Sequence, residues 1–269
     1  MPHGVVDMPP EEYHASPALS SSFAKLLTKY VPARARAEFL ADRTSRSKVL
    51  GSAVHTVMLG DGPELAPIDG DGRTKAVKEA KAEAIAAGKQ VVTGAEYEQI
   101  TGMAKSLTEH AQAHALLTSG ACEQSLFWEE DGVECRARLD VLPYPVEGRR
   151  MLVPDLKTAA EADDWSFAKS IGDYGYHQQA DWYCRGLRAL GLDDDPEFLF
   201  VVVESKAPYL VNVCALDRDA KEAGRVLNDR SLRIFARCTE TGIWPGYDTK
   251  ISALGPTPLY YAQHMEKLA

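Results

Sequence analysis

The spacing of apolar and polar residues divides the chain into a mainly helical first part and a second part in which strands and helices alternate. Up to about residue 120, apolar residues recur at intervals of three and four, which is typical of amphipathic helices. Beyond that point, short alternating runs predict β-strands. The order of these segments indicates both antiparallel hairpins and one strand–helix–strand crossover. It therefore predicts an α/β fold with a central mixed β-sheet flanked by helices.

The helical N-terminal third is marked by recognisable helix starts. Ser20, Ser21 and Ser22 precede an apolar repeat, and a serine there can cap the free N–H groups of a first helical turn. Pro32 suits the opening turn of the next helix. Further helices are predicted over residues 32–41, 47–59, 74–87 and 95–117, with a surface loop over 60–73.

The second part contains five predicted strands and two long helices. The strands cover residues 124–129, 134–142, 151–157, 197–204 and 210–216, and the helices cover 173–190 and 219–239. A turn at Asp131 and Gly132 joins the first two strands, and a loop over 143–149 leads to the third. No composition break separates these parts. We therefore expect a single domain over 1–269, with a helical part (1–120), a core (121–247) and a C-terminal tail (248–269).

Composition excludes several protein classes. The chain has 269 residues, of which 45% are hydrophobic and 26% charged, as expected for a globular domain. Its apolar runs are too short to cross a bilayer and its start carries no apolar leader, so we predict a cytoplasmic protein without a membrane partner. The five cysteines are widely spaced and form no CxxC pair, which argues against a zinc knuckle, an iron–sulfur centre or a disulfide framework.

Charge is unevenly distributed. The net charge is −9, yet residues 21–50 carry seven basic and only two acidic side chains. A confined basic face on an acidic body suits an enzyme that grips DNA at one site and then releases it. Arg34 and Arg36 lie in the middle of this stretch and are candidate contacts to the DNA backbone. A solvated helical surface is the alternative explanation of the same residues.

Two aspartates and a lysine are the main candidates for chemistry. Asp155 and Lys157 are two apart at the end of an apolar strand, so their side chains project from the same face. If the loop over 143–149 closes a hairpin, Asp140 lies opposite Val153 and diagonal to Asp155, within reach of a shared cation. A shift of one residue would send Asp140 to the other face. Two such carboxylates, with the Leu156 carbonyl, could hold one or two Mg²⁺ ions for phosphodiester hydrolysis.

Three more residues complete the candidate set. His55 lies beside, rather than on, the apolar stripe of its predicted helix, so it could supply a nitrogen ligand that would let Mn²⁺ replace Mg²⁺. Gln179 and Tyr183 are four apart and share one helix face directly after the strand that carries Asp155. They could hydrogen-bond a phosphate or the lysine, and edge-of-core packing is the alternative.

With these residues identified, the chain resembles the PD-(D/E)xK nuclease superfamily, and within it the exonuclease VIII (RecE-like) recombination exonucleases of phages and prophages. The resemblance runs from about Tyr13 to Tyr247. The motifs that carry it are the segments 13–22, 51–55, 138–140, 155–158, 176–183 and 244–247. Leu139 replaces the proline of the motif, and Asp155 stands where many relatives carry glutamate. The resemblance implies a restriction-endonuclease-like core.

The resemblance also implies roles for individual residues and for the whole protein. His55, Asp140, Asp155 and the Leu156 carbonyl would be metal ligands, Lys157 the catalytic lysine, and Gln179 with Tyr183 the QxxxY motif. Ser20, Ser21 and Ser22 resemble the region that receives the terminal phosphate, as a helix N-terminus can. The implied activity is Mg²⁺-dependent degradation of linear double-stranded DNA from its ends, commonly 5′ to 3′. The implied assembly is a ring-shaped homo-oligomer working with a single-strand annealing protein.

Two other functions remain open at this point. The metal site alone does not decide whether a DNA end is required, so an endonuclease or repair nuclease on the same fold is one alternative. A catalytically silent scaffold that binds DNA ends is the other, and the intact aspartates and lysine argue against it.

Overall fold

The structure, a computed structural model, describes residues 2–41, 46–60 and 62–264, except for the side chains of 46–49. The first part of the chain forms, in order, β1 (Gly4–Val6), α1 (Pro10–Ala15), β2 (Leu19–Ser20), α2 (Ser21–Lys29), α3 (Pro32–Leu40), α4 (Arg46–Leu59), β3 (Leu65–Pro67), α5 (Lys75–Ala86), β4 (Gln90–Val92), α6 (Gly94–Glu109) and α7 (Ala111–Leu117). Helices therefore dominate this third, as predicted.

The second part contains the long strands. They and the remaining helices are β5 (Gly120–Glu130), β6 (Val133–Pro143), β7 (Leu152–Ala159), α8 (Asp164–Tyr174), α9 (Tyr176–Ala189), β8 (Glu197–Glu204), β9 (Val211–Ala215), α10 (Arg218–Thr241) and α11 (Pro258–His264). All five predicted strands are present. Among the described helices, none combines the length and the apolar surface that crossing a membrane requires.

Two sheets build the core, and they confirm the predicted α/β class with mixed pairing. One has the strand order β1-β5-β6-β2 and the other β7-β8-β9, while β3 and β4 form a separate pair. The β5–β6 hairpin turns at Asp131 and Gly132 as expected. β7 and β8 are parallel and joined through α8 and α9, and β9 returns antiparallel to β8.

The predicted hairpin between β6 and β7 is wrong. The two strands lie side by side but belong to different sheets, so Asp140 does not pair with Val153. The main chain of Met151 explains the divergence, because its N–H donates to Asp193 Oδ2 and its carbonyl accepts from the Glu197 N–H. These bonds hold the start of β7 beside β8, the strand with which it pairs. The edge of β7 that faces β6 is left without a paired strand in the described sheet.

Several boundaries also differ from the predictions. The helix predicted over 95–117 is divided at His110, whose ring nitrogen Nδ1 caps α7 by accepting from the Ala113 N–H. The helix predicted from 173 begins earlier as a separate α8, capped by Asp163, and Gly175 in the left-handed conformation separates it from α9. The loop predicted over 60–73 contains β3.

Apolar side chains pack on both faces of the β7–β8–β9 sheet. One face meets α9 and the β5–β6 hairpin through residues such as Val153, Phe200 and Trp182. The other face meets α4, α6 and α7 through residues such as Leu156 and Val201. Asp155 alternates with Leu156, so it points toward α9, where it is almost completely buried.

Candidate metal centre and active site

The candidate centre lies at the free edge of β7, where Leu156 presents its main-chain polar groups. The Leu156 N–H donates to Asp140 Oδ2 at 2.7 Å. The Leu156 carbonyl lies 2.9 Å from His55 Nε2, and His55 Nδ1 lies 3.7 Å from Asp140 Oδ2. Helix α4, strand β6 and strand β7 thus bring three predicted ligands to one point. Asp140 reaches that point through its side chain, without the strand pairing that the sequence had indicated.

Glu123 is an additional acidic residue at this point. One ligand atom each from His55, Glu123 and Asp140 lie within 4.8 Å of one another. Glu123 holds a positive φ of 52°, and it stands across the hairpin from Asp140, between the pairs Cys122–Val141 and Gln124–Leu139. No pattern in the sequence distinguishes Glu123 from other acidic residues in strands. Counting back from the Asp131–Gly132 turn would have placed it opposite Asp140.

Arg138 fixes the position of Glu123. Its Nε donates to Glu123 Oε2 at 2.8 Å, and its Nη1 donates to the Met8 carbonyl and to Ser125 Oγ. The side chains of Arg138 and Glu123 are 11% and 20% exposed, so this is a largely buried ion pair. It connects the N-terminal segment to the hairpin and holds a carboxylate toward the centre.

The electrostatics of this cluster suit a cation. Burial, followed by the charge of Asp155, raises the pKa of Asp140 despite the neighbouring His55. Burial also raises the pKa of Glu123, and Asp140 adds to this effect. Buried carboxylates that repel one another are stabilised by a bound metal ion. A histidine nitrogen with carboxylate oxygens is compatible with Mg²⁺ or Mn²⁺.

Asp155 and Lys157 form a second, adjoining group. They share one face of β7 as predicted, and the Lys157 ammonium contacts Asp155 Oδ2. Asp155 Oδ1 accepts from Gln179 Nε2 at 2.7 Å. Burial opposes the charge of Lys157, but Asp155 and then Asp140 outweigh it, so the pKa of Lys157 is raised. The lysine also lies over the Tyr176 ring, 5.2 Å from its centroid.

Gln179 and Tyr183 lie on α9 beside this group, as their spacing predicted. Gln179 is buried and also shares a hydrogen bond with Tyr183. Burial raises the pKa of Tyr183 well above its ordinary value, and the Tyr183 ring packs edge-on against Phe198. Tyr183 therefore joins the apolar core to the amide that orients Asp155.

A cleft opens onto the metal centre from the side of the N-terminal segment. Its volume is about 380 Å³, and its polar lining includes His14, Ser52, His55, Glu123 and Arg138. Burial, followed by the charges of Arg136 and Arg138, lowers the pKa of His14. The cleft therefore gives access to the candidate ligands His55 and Glu123, and the charge of Arg138 in its wall is paired with Glu123.

The family of the chain is shown by comparison with known proteins. Residues 20–254 match the model of a family described as "PDDEXK-like domain of unknown function (DUF3799)". The chain belongs to this PDDEXK-like family. No curated protein sequence matches it significantly.

A solved structure has the same fold as this PDDEXK-like protein. It is described as a "Putative exonuclease" from Eubacterium rectale, and the TM-score is 0.64 at 12% sequence identity. The superposition covers 96% of this chain and 98% of that one. At this identity the likeness establishes the fold. The finer resemblance to RecE-like exonucleases remains a prediction from the sequence motifs.

The three predicted phosphate-binding serines of this PDDEXK-like protein differ in their contacts, and the buried Ser21 Oγ has no hydrogen-bond partner in the described chain. Ser20 Oγ caps α2 by accepting from the Phe23 N–H, and Ser21 is buried while Ser22 is exposed. β2 pairs with β6 near Arg136, four residues before Asp140, a distance of about 13 Å along an extended strand. The serines are thus near the centre without belonging to it.

Arg34 and Arg36 pack on aromatic rings. Arg34 lies 4.2 Å from the Tyr30 centroid and near Glu38, and Arg36 lies 5.2 Å from the Trp244 ring. Among the described residues, these contacts do not reach the metal centre. Arg43 and the side chains of Arg46 and Lys48 fall outside the described part of the chain.

Proposed function

We propose that the protein is a Mg²⁺-dependent exodeoxyribonuclease that hydrolyses linear double-stranded DNA from its ends, in the 5′-to-3′ direction, for recombination. Membership of the PDDEXK-like family supports a metal-dependent nuclease. The fold shared with the Eubacterium rectale protein, itself described as a "Putative exonuclease", supports action from DNA ends. The motif resemblance to the RecE-like group supports the 5′-to-3′ direction of hydrolysis and a role in recombination.

One observation carries the proposal. Asp155 and Lys157 point from the same face of β7, and Asp140 is bonded to the intervening Leu156 peptide. A cation held by Asp140, Glu123 and His55, with Asp155 and the Leu156 carbonyl adjoining it, would neutralise the phosphate and lower the pKa of a bound water. These ligand roles are part of the proposal. Mn²⁺ is expected to substitute for Mg²⁺ because His55 offers a nitrogen donor.

The protein's own groups supply orientation and charge. Lys157 keeps its proton at neutral pH, because the pKa is raised, and so can orient an attacking water and stabilise negative charge on the phosphate. Asp155 directs that ammonium, and Gln179 holds Asp155 in place. The cleft lined by His14 and Arg138 gives access to the candidate metal centre.

The test uses duplex DNA labelled at either the 5′ or the 3′ end. We expect label release from the 5′ end of linear DNA with Mg²⁺, no release with chelator, and no attack on a closed circle. Nicking of the circle would support an endonuclease. Metal-independent DNA binding without any cleavage would support a silent scaffold.

The predicted partners require separate tests. A ring-shaped homo-oligomer would give the native protein a mass that is a multiple of the mass of one chain. A single-strand annealing protein would be retained on a column that carries the immobilised protein. Reversing Arg34 and Arg36 to glutamate is expected to weaken DNA binding more at low salt than at high salt. An unchanged salt dependence would count against these two arginines as backbone contacts.

A further inference from the structure

Lys25 is a cation at the active site that has no counter-ion of its own among the described residues. It lies on α2, is partly buried, and its aliphatic stem packs against Gly175 at the start of α9. A Cβ atom built on Gly175 would lie 3.0 Å from Lys25 Cδ. The absence of a side chain at Gly175 therefore leaves room for the Lys25 stem at the start of α9, the helix that carries Tyr176 and Gln179.

The charges around Lys25 are unbalanced. The groups that act on it are Lys157, which repels it, and Asp155, which attracts it. Burial, with this repulsion, lowers the pKa of Lys25 to about 8. Asp155 already has two partners, since one oxygen accepts from Gln179 and the other contacts Lys157. Two ammonium groups thus lie in the field of one carboxylate.

Two largely buried arginines of the described chain have carboxylate partners, whereas Arg136 has none among the described residues and lies over the Tyr13 ring. Arg138 bonds to Glu123, and Arg185 contacts three carboxylates, those of Glu130, Asp181 and Asp229. Lys25 forms no ion pair with any residue in the described ranges. A partly buried ammonium beside a like charge is unfavourable unless an anion joins it.

We propose that Lys25 binds a phosphate of the DNA strand that lies against Asp155 and Lys157. This inference rests on the proposed nuclease function, because it takes the anion to be a phosphodiester. Lys25 is then distinct from the rest of the basic stretch. It lies on the side of Asp155 and Lys157 where α9 begins and contacts substrate there, while Arg34 and Arg36 pack on aromatic side chains.

The test compares Lys25→Met and Lys25→Arg with Lys105→Met. Lys105 is 73% exposed on α6 and pairs with Glu109 one turn along, so its replacement removes the same charge at a site away from α9. Binding of a fluorescent duplex is measured by anisotropy without metal, over a range of salt. Nucleotide release is measured in parallel with Mg²⁺.

We expect Lys25→Met to weaken binding about 10-fold or more, because a hydrogen bond to a charged group is lost. The slope of log affinity against log salt should fall by about one, as for one lost phosphate contact. Lys25→Arg should recover part of the affinity, and Lys105→Met should match the wild type. Unfolding should show Lys25→Met to be as stable as the wild type or more stable, since it removes a repelled charge.

Two results would overturn the assignment. A wild-type salt slope and release rate in Lys25→Met would show that Lys25 does not touch the strand, and the nuclease proposal would stand if the wild type cleaves. A marked loss of stability in Lys25→Met would show that the lysine serves the fold. If the wild-type protein binds DNA with a Lys25-dependent slope but releases no nucleotide, only the proposed hydrolysis fails.

Discussion

Gln179 donates a 2.7 Å hydrogen bond to Asp155, and both side chains are buried. The amide fixes one carboxylate oxygen, which leaves the other oxygen to Lys157. We predict that Gln179→Met lowers nucleotide release 10- to 100-fold, roughly the usual cost of removing a residue that orients a metal-site carboxylate. Gln112→Met on the exposed face of α7 is the matched control. Equal activity of the two variants would contradict the orienting role.

The ion pair between Asp155 and Lys157 is expected to stabilise the folded chain. Asp155 is 1% exposed, so removing one partner leaves a buried, uncompensated charge, which costs about 3–5 kcal/mol. We expect Asp155→Asn to lower the free energy of unfolding by this order, and Lys157→Met to lower it less, because Lys25 still acts on Asp155. The double variant should recover most of the loss, yet all three should release no nucleotide. Denaturant unfolding checks this, and additive losses in the double variant would show that the two groups are not coupled.

Glu123 makes a prediction about metal binding. Glu123→Gln keeps the shape of the side chain but removes a charge from the His55–Glu123–Asp140 cluster. We expect weaker Mn²⁺ binding, measured by titration calorimetry, and a smaller rise in melting temperature on adding Mn²⁺. Glu129→Gln, an exposed position on the same strand, should leave both unchanged. Identical Mn²⁺ binding in Glu123→Gln would exclude Glu123 as a ligand.

Lys25 is expected to make the stability of the fold depend on pH. Its pKa is lowered to about 8 in the folded chain by burial and by Lys157, with Asp155 acting in the opposite sense, against an ordinary value of 10.5. Between these values the unfolded chain holds a proton that the folded chain does not. Lys25 should therefore make the free energy of unfolding increase as pH rises from about 8 to about 10.5. Lys25→Met should lack this contribution. Parallel pH dependence in both proteins would contradict the lowered pKa.

The sequence predicted the elements well where local signals determine them. The Asp131–Gly132 turn defined the β5–β6 hairpin, and the alternation of residues correctly placed Asp155 and Lys157 on one face of β7. The crossover helix correctly made β8 parallel to β7. These features depend on residues close together in the chain.

The sequence did not predict contacts between residues that lie far apart in the chain. The choice between β6 and β8 as the neighbour of β7 depends on Met151 bonding to Asp193 and Glu197, which strand alternation does not reveal. Glu123 was missed because a single acid in a strand has no distinguishing pattern. Its role in the cluster appears only once the hairpin register, its positive φ and the position of His55 are known.

The bond from the Leu156 N–H to Asp140 also bears on solubility. Unpaired main-chain groups along a strand edge can recruit strands from other molecules, and proteins avoid this by blocking such edges. Here a carboxylate and the His55 imidazole occupy the polar groups of Leu156. The side chains that would bind a metal ion thus also protect the edge of β7 at Leu156 from pairing with another molecule. This protective contact does not depend on catalysis, so it would persist in an inactive variant that keeps both side chains.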